Sequence, residues 1–346
     1  MKKFTISLIL LFSMFSFTKI SKAQGIDTLN GASPFTSGHY VPGIWDIRDY
    51  ATPPPGLYVL DYNLFISGKK FFNSEGNQVT EIVRQNSKTT LDIDINGYVN
   101  IPTFFYASSF KLLGGTYIAA ITPPYSTVNL DLAYDAVAKV LRDTITKDGT
   151  INGNVSGFSD MTFLPFGLSW ASENMNLTMA YSIVAPTGRY TPGGSDNVGL
   201  GYWTNMFQAF GYVYPMKIKG KSSQAMAIMA SLTYEMNSKI KDVNVSPGNR
   251  LTVEYGISQY LSPRFEIGIM GGYNFQITDD TGTDVWWDSS VHDQLGYVSF
   301  QIGAWPVTNK LYTAIKYNVD YGMKQRIKQH NFLLNIIYAT GWLTGK

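Results

Sequence analysis

The chain has 346 residues, a formal net charge of +2, 15% charged and 14% aromatic residues, and no cysteine. Disulfide, thiolate-metal and thiol chemistry are therefore excluded, and so small a net charge offers nucleic acid little to bind. The charged fraction lies well under the ~25% of an average soluble domain, yet mean hydropathy is near zero, as expected when only every second residue faces lipid.

In chain order, Lys2 and Lys3, the apolar run from Phe4 to Phe17, and Ser21 and Ala23 read as a secretory signal over residues 1–23, with Gln24 opening the mature chain. The apolar core is shorter than the ~20 residues of a spanning helix. Residues 24–55 do not alternate. They hold Gly38 to Gly43, Trp45 to Asp49 and the three prolines Pro53 to Pro55, and proline removes ladder donors. This segment is expected to be a short N-terminal periplasmic arm or plug that places Tyr40, Ile44, Trp45 and Tyr50 in the lumen; a disordered leader is the alternative.

Residues 56–346 carry the strand pattern of a transmembrane antiparallel up-and-down β-barrel, an all-β fold. In Leu57 to Ser67, Tyr58, Leu60, Tyr62, Leu64 and Ile66 alternate with Asp61 and Asn63; in Thr90 to Asn96, Leu91, Ile93 and Ile95 alternate with Asp92 and Asp94. Asn174 to Val184, Ala225 to Met236, Arg250 to Ile257, Phe265 to Ile277, Leu311 to Tyr321 and Phe332 to Tyr338 repeat the theme. Assigning each apolar set to lipid sends Asp61, Asp92, Asp94, Glu235, Glu254, Glu266 and Asp320 into the lumen, with Arg250 and Lys316 as basic members. Such a lumen is either a cation-favouring filter or a network of paired charges.

Short connections are expected at Ser108-Ser109, Ser172-Glu173, Pro215 to Ser222, Ser262 to Arg264 and Pro306 to Lys310. Long polar ones are expected at Gly68 to Glu81, Pro123 to Ser156, Pro186 to Asn197, Asn237 to Asn249, Thr278 to Val291 and Gly322 to Lys328. Short turns face the periplasm and long loops the exterior, which gives about twelve strands with both termini in the periplasm. Fourteen is the alternative count if Asn129 to Ala133 forms a further strand.

Several motifs in order resemble one family, the "meta-pathway of phenol degradation" proteins. They are Pro53 to Tyr58 with Asp61-Tyr62-Asn63, Gly157 to Asp160, Ala185 to Tyr190, Asn197 to Trp203, Ser246 to Asn249 through Glu254-Tyr255-Gly256, and Gln276 to Asp280. The resemblance implies a Gram-negative outer-membrane barrel, a transporter or channel with no established active site; the end at Trp342 followed by Leu343 to Lys346 departs from the usual terminal aromatic residue.

Enzyme signals are weak. His292 beside Ser289 and Ser290, or His330 beside Asn331, could serve a rim hydrolase of the outer-membrane phospholipase type, but chance adjacency explains them better. Asp279 to Asp284 lacks the spacing and terminal glutamate of a calcium loop. Gly193-Gly194, Gly199 and Gly201 lack the strand-to-helix setting of a phosphate loop. The expectation is a non-enzymatic barrel in the outer membrane, without cofactor or metal, for passive uptake of small neutral aromatic or apolar molecules. A non-conducting structural or surface-interaction barrel is the alternative. Its partners are outer-membrane lipid and lipopolysaccharide, the barrel-assembly machinery and a small-molecule solute.

Overall fold

The computed structural model describes residues 37–84, 87–140, 143–194, 196–216 and 225–340; the signal stretch and residues 24–36 of the arm lie outside them. In chain order the strands are β1 (Gly56–Phe72), β2 (Gln78–Val79), β3 (Glu81–Arg84), β4 (Ser87–Leu112), β5 (Gly115–Thr122), β6 (Tyr125–Val140), β7 (Asp143–Phe158) and β8 (Met161–Ala171). They continue with β9 (Met175–Ala185), β10 (Thr204–Val213), β11 (Met226–Asn237), β12 (Arg250–Ser262), β13 (Phe265–Gln276), β14 (Gln294–Val307), β15 (Leu311–Lys324) and β16 (Arg326–Ala339).

Twelve of them form the closed antiparallel wall: β1, β4, β5 and then β8 to β16. The ring is completed by β16 pairing with β1, Tyr58 opposite Ala339 and Phe72 opposite Arg326. Closure removes the free sheet edge that lipid could not satisfy. Among the described residues no helix is long and apolar enough to cross a membrane.

In β9, β11, β12, β13, β15 and β16 the expected parity holds. Met175 and Met179, Ile228 and Leu232, Val253 and Tyr255, Ile267 and Ile269, and Ile315 and Tyr317 are exposed on the outer surface, while Thr178, Thr233, Thr252, Asn274 and Asn318 are buried inside.

On β1 and β4 the parity is reversed. Leu60, Tyr62 and Leu64 are buried with Ile44 of the arm, and Ile93 and Ile95 are buried with Phe71, Val79 and Leu130. Asp61, Asp92 and Asp94 therefore lie on the outer face, not in the lumen; Asp94 pairs there with Lys69 at 3.0 Å. The physical reason is that the interior on this side is packed against apolar groups instead of polar ones. The period-2 pattern is the same either way, and a one-residue change of parity inverts both faces.

Four connections also differ from expectation. Gly68 to Glu81 is largely strand, because β1 continues to Phe72 and pairs there with β2. β4 runs through Ser108-Ser109 and turns at Leu113 (φ 50°) and Gly114 (φ 78°). The stretch Pro123 to Ser156 is mostly the hairpin β6–β7, paired along its length from Tyr125–Phe158 to Val140–Asp143. β6 continues the line of β5 past Pro123-Pro124, and β7 runs into β8 across Ser159-Asp160, so the hairpin lengthens two existing wall strands and the count remains twelve. Two consecutive prolines lack the donors to carry the ladder through. Finally, Gly322 to Lys328 is a tight β15–β16 hairpin whose tip residue Gln325 is buried. Part of Pro215 to Ser222 lies outside the described residues.

Candidate functional site

Residues 37–55 run through the lumen. Gly38 and His39 sit at the end bearing the long loops, where the His39 ring contacts Thr204 Oγ1 at 2.8 Å and Asp160 Oδ2 at 3.0 Å. Thr52 reaches the short-turn end, where it meets Ser169 Oγ at 2.5 Å. A segment rich in glycine and proline makes few hydrogen bonds of its own, so its backbone groups need partners from the wall.

The wall supplies them. Glu235, at the upper end of β11, accepts the His39 and Tyr40 amides at 2.8 and 3.0 Å. Glu254, midway along β12, accepts the Gly43 amide at 2.7 Å, the Tyr297 hydroxyl at 2.7 Å and the Tyr40 hydroxyl. Lys316 on β15 donates to the Gly43 and Trp45 carbonyls at 2.8 and 2.5 Å. Glu266 on β13 accepts from Arg48 at 2.5 Å and from the Tyr312 hydroxyl at 3.1 Å. These four inward residues converge on the arm.

Two glycines make this approach possible. Gly43 has φ +72°, and a Cβ there would stand 2.7 Å from Asn318 Nδ2 and 2.8 Å from the Tyr297 ring. A Cβ on Gly268 would stand 2.4 Å from Ile47 Cδ1, so the arm's Ile47 occupies the notch left in β13.

Arg250 and Asp320 are buried in the lumen, and neither bonds to the described residues of the arm. Arg250 grips Asp293 through two hydrogen bonds of 2.7 Å, and Arg326 adds another at 2.6 Å. Burial acts to raise the Asp293 carboxyl, but the two guanidinium groups outweigh it and hold it at about 2. Asp320 accepts the Gln329 amide at 2.9 Å.

Of the arm residues singled out by sequence, Ile44 packs against Leu60, Tyr62 and Leu333, and Tyr50 stacks on Phe210 with ring centroids 3.4 Å apart. Trp45 stands edge-on to both Tyr50 and Tyr62, at 5.3 and 4.9 Å, so an aromatic chain crosses the lumen from β1 to β10.

The sequence reading missed the arm's own charges and two contacts beyond it. Asp46 accepts Asn335 Nδ2 at 2.7 Å and stands 4.0 Å from Lys316. Burial pushes its carboxyl up to about 6 against the pull of Lys316. Asp49 accepts the Tyr62 hydroxyl at 2.7 Å and is raised well above its ordinary value by burial first and by Asp46 second. His39 and Asp160 were equally unmarked. The available signal was a Asp-Ile-Arg-Asp run inside a segment otherwise poor in charge.

The arm's carboxylate and lysine anchors lie on β11, β12, β13 and β15, and a cavity of about 290 Å³ remains between the arm and the opposite wall. Leu60, Ile101, Phe105, Leu164, Val184 and Met206 line it from the wall, and Tyr40, Ile44 and Trp45 from the arm. Its polar fringe holds Ser126, Ser159, Asp160 and Gln208. Among the described residues no cluster of three metal-ligating side chains is present. His292 contacts Asp279 at 2.8 Å and His330 contacts the Tyr317 hydroxyl at 3.2 Å.

A closed twelve-strand wall with an apolar outer surface and a strapped lumen defines an outer-membrane β-barrel. The chain belongs to the family described as "Putative MetA-pathway of phenol degradation", whose match covers residues 69–336. It is similar in fold to the COG4313 outer membrane channel from Pseudomonas putida F1, with 14% identity, a TM-score of 0.60, and coverage of 87% of this chain and 99% of that one. The TodX deltaS2S3 mutant monoaromatic hydrocarbon channel (8% identity, TM-score 0.40, 82% and 89% covered) and the transport unit of the autotransporter AIDA-I from Escherichia coli (12%, 0.40, 86% and 93%) are too distant to carry an argument. No curated protein matches the sequence.

Proposed function

We propose that the protein is a channel for passive passage of small neutral aromatic or apolar molecules across the outer membrane, with the arm as its plug. The observation that carries this reading is the apolar cavity between arm and wall. A cavity of roughly 150 Å³ already takes up benzene, so about 290 Å³ suits a molecule of one or two rings. The likeness to the COG4313 outer membrane channel supports the same class. We assign residues 1–23 to a cleaved signal, residues 24–55 to the arm and residues 56–346 to the barrel, with short turns in the periplasm and long loops outside.

The lumen carboxylates support a plug better than an open cation filter, because Glu235, Glu254 and Glu266 are engaged by arm donors. That dense anchorage also favours the second reading, a non-conducting structural barrel. Two measurements separate them. A fluorescent naphthalene probe should bind the purified barrel and be displaced by toluene, and Met206→Trp, which fills the cavity, should weaken binding at least tenfold. Deleting Ile26 to Tyr50 should leave the barrel heat-modifiable on gels while giving larger or more frequent conductance steps in planar bilayers. Absence of probe binding rejects the cavity as the route, and unchanged conductance after deletion rejects the plug.

A further inference from the structure

The reversed parity of β1 and β4 places a polar cluster on the outer, lipid-facing surface. Asp61 Oδ1 accepts Asn100 Nδ2 at 2.7 Å and Asp61 Oδ2 accepts Asn63 Nδ2 at 3.0 Å. Asn63 Oδ1 accepts the Tyr98 hydroxyl at 2.6 Å and Asn100 Nδ2 at 3.1 Å. In the neighbouring strand, Asp61 stands opposite Ile336, Asn63 opposite Leu334 and Phe65 opposite Phe332. The cluster is thus set among residues whose outward faces are apolar: Phe65, Phe104 and Phe332 are 44%, 45% and 43% exposed.

A carboxylate in such a place is costly, and intramembrane ionisable groups carry a partner or a function. The inventory of hydrogens says which partner fits. The Asn100 amide gives one hydrogen to Asp61 and one to Asn63. The Asn63 amide serves Asp61 and the Leu334 carbonyl at 3.2 Å, and the Tyr98 hydroxyl serves Asn63. Every side-chain donor is used, while carboxylate lone pairs remain. The cluster is therefore an acceptor with spare capacity on the Asp61 carboxyl, and the Tyr98 hydroxyl on Asn63 Oδ1 closes its far side. A second copy of the chain cannot complement it through the same face, because it would bring another carboxylate and no free donor.

We propose that Asp61, Asn63, Tyr98 and Asn100 form a lateral site for the primary ammonium group of a membrane amphiphile. Asp61 accepts the ammonium within the hydrogen-bonded frame of Asn63, Tyr98 and Asn100. The amphiphile's chain lies along the apolar outer surface of β1 and β16. The ammonium can come from a phosphatidylethanolamine headgroup or from a free long-chain amine. This site is on the opposite face of the wall from the cavity and stands independently of the channel reading.

The purified full-length barrel, in neutral detergent, is titrated calorimetrically with dodecylamine, dodecanol and dodecanoate. The amine should bind about tenfold more tightly than the alcohol, in line with one charge-assisted hydrogen bond, and the acid should bind weakest. Asp61→Asn should abolish the preference while heat-modifiability on gels is retained. Asp92→Asn, an exposed outward carboxylate further along β4, should keep it. Nanodiscs with and without phosphatidylethanolamine, read by native mass spectrometry, separate the sources: lipid retained by the wild type and lost in Asp61→Asn identifies the headgroup, and no retained lipid alongside amine binding identifies the free amine. Equal binding of amine and alcohol to the wild type overturns the proposal without any variant. Loss of preference in Asp92→Asn overturns it as bulk surface charge. Dimers cross-linked through a cysteine at Phe65, without amine preference, would hand the face to a second copy.

Discussion

At the scale of single residues, the lumen is organised by where an unpaired backbone donor meets a buried carboxylate. Glu254 illustrates it: one side chain accepts the Gly43 amide and the Tyr40 and Tyr297 hydroxyls, binding arm to wall without an opposing cation in contact. Asp46 gives the arrangement a pH dependence. Its carboxyl is raised to about 6 by burial when the arm is in place, against ~3.9 for a free aspartate. The docked arm therefore binds a proton that the released arm gives up between those values. Docking is strongest below about pH 4 and weakens as pH rises through 6, and Asp49 is shifted in the same direction. Conductance of the reconstituted barrel should accordingly fall on acidification from pH 7 to pH 5. Asp46→Asn, which keeps the Asn335 contact but cannot ionise, should reduce that pH response and lower conductance at pH 7. A rise in conductance on acidification would contradict the assignment.

At the scale of elements, β1 shows why alternation does not by itself tell inside from outside. Both of its faces carry aromatic and aliphatic residues; Tyr62 and Leu64 are turned inward by Ile44 and Trp45 of the arm, and Phe65 is left outward at 44% exposure. Single cysteines test this directly. At Phe65 a thiol should react with a membrane-soluble maleimide, whereas at Leu64, 4% exposed, it should be protected until the arm is deleted. Equal labelling at both positions would contradict the packing of arm on wall. The same element-scale logic explains β6 and β7: Pro123-Pro124 breaks the ladder but not the direction of the chain, so what reads as a long polar loop is a continued hairpin.

At the scale of the whole molecule, the two ends of the barrel differ. Ser172 to Asn174 and Ser262 to Arg264 are near the short-turn end, while residues 186–203, 238–249 and 277–293 gather at the other, where Tyr202, Ile240 and Val245 pack with Leu200 and Trp287. With long loops outside, cysteines at Asp196 and Thr281 should react with an impermeant thiol reagent on intact cells. Cysteines at Ser172 and Ser262 should react only after the cells are opened. The native chain has no thiol, so each signal is unambiguous, and the opposite pattern would invert the proposed orientation.

The sequence alone was enough for the barrel class, because a polar lumen and a lipid surface leave opposite chemistries on alternate residues. It was enough for the parity of β9, β11 to β13, β15 and β16, where Glu235, Glu254, Glu266, Lys316 and Asp320 mark the inner face. The three prolines Pro53 to Pro55 also mark where the described arm stops short of the ladder that opens at Gly56. Only the tertiary structure decided what fills the lumen beside each strand. Beside β1 that filling is Ile44 and Trp45 of the arm with the cavity, which turns Asp61 out; beside the first half of β4 it is Phe71, Val79 and Leu130, which turns Asp92 and Asp94 out. The reason is that alternation is a property of the strand, whereas the identity of its inner face is set by contacts between segments far apart in the chain. The pairing of Lys316 with the Gly43 and Trp45 carbonyls spans more than 270 residues, and no local pattern records it.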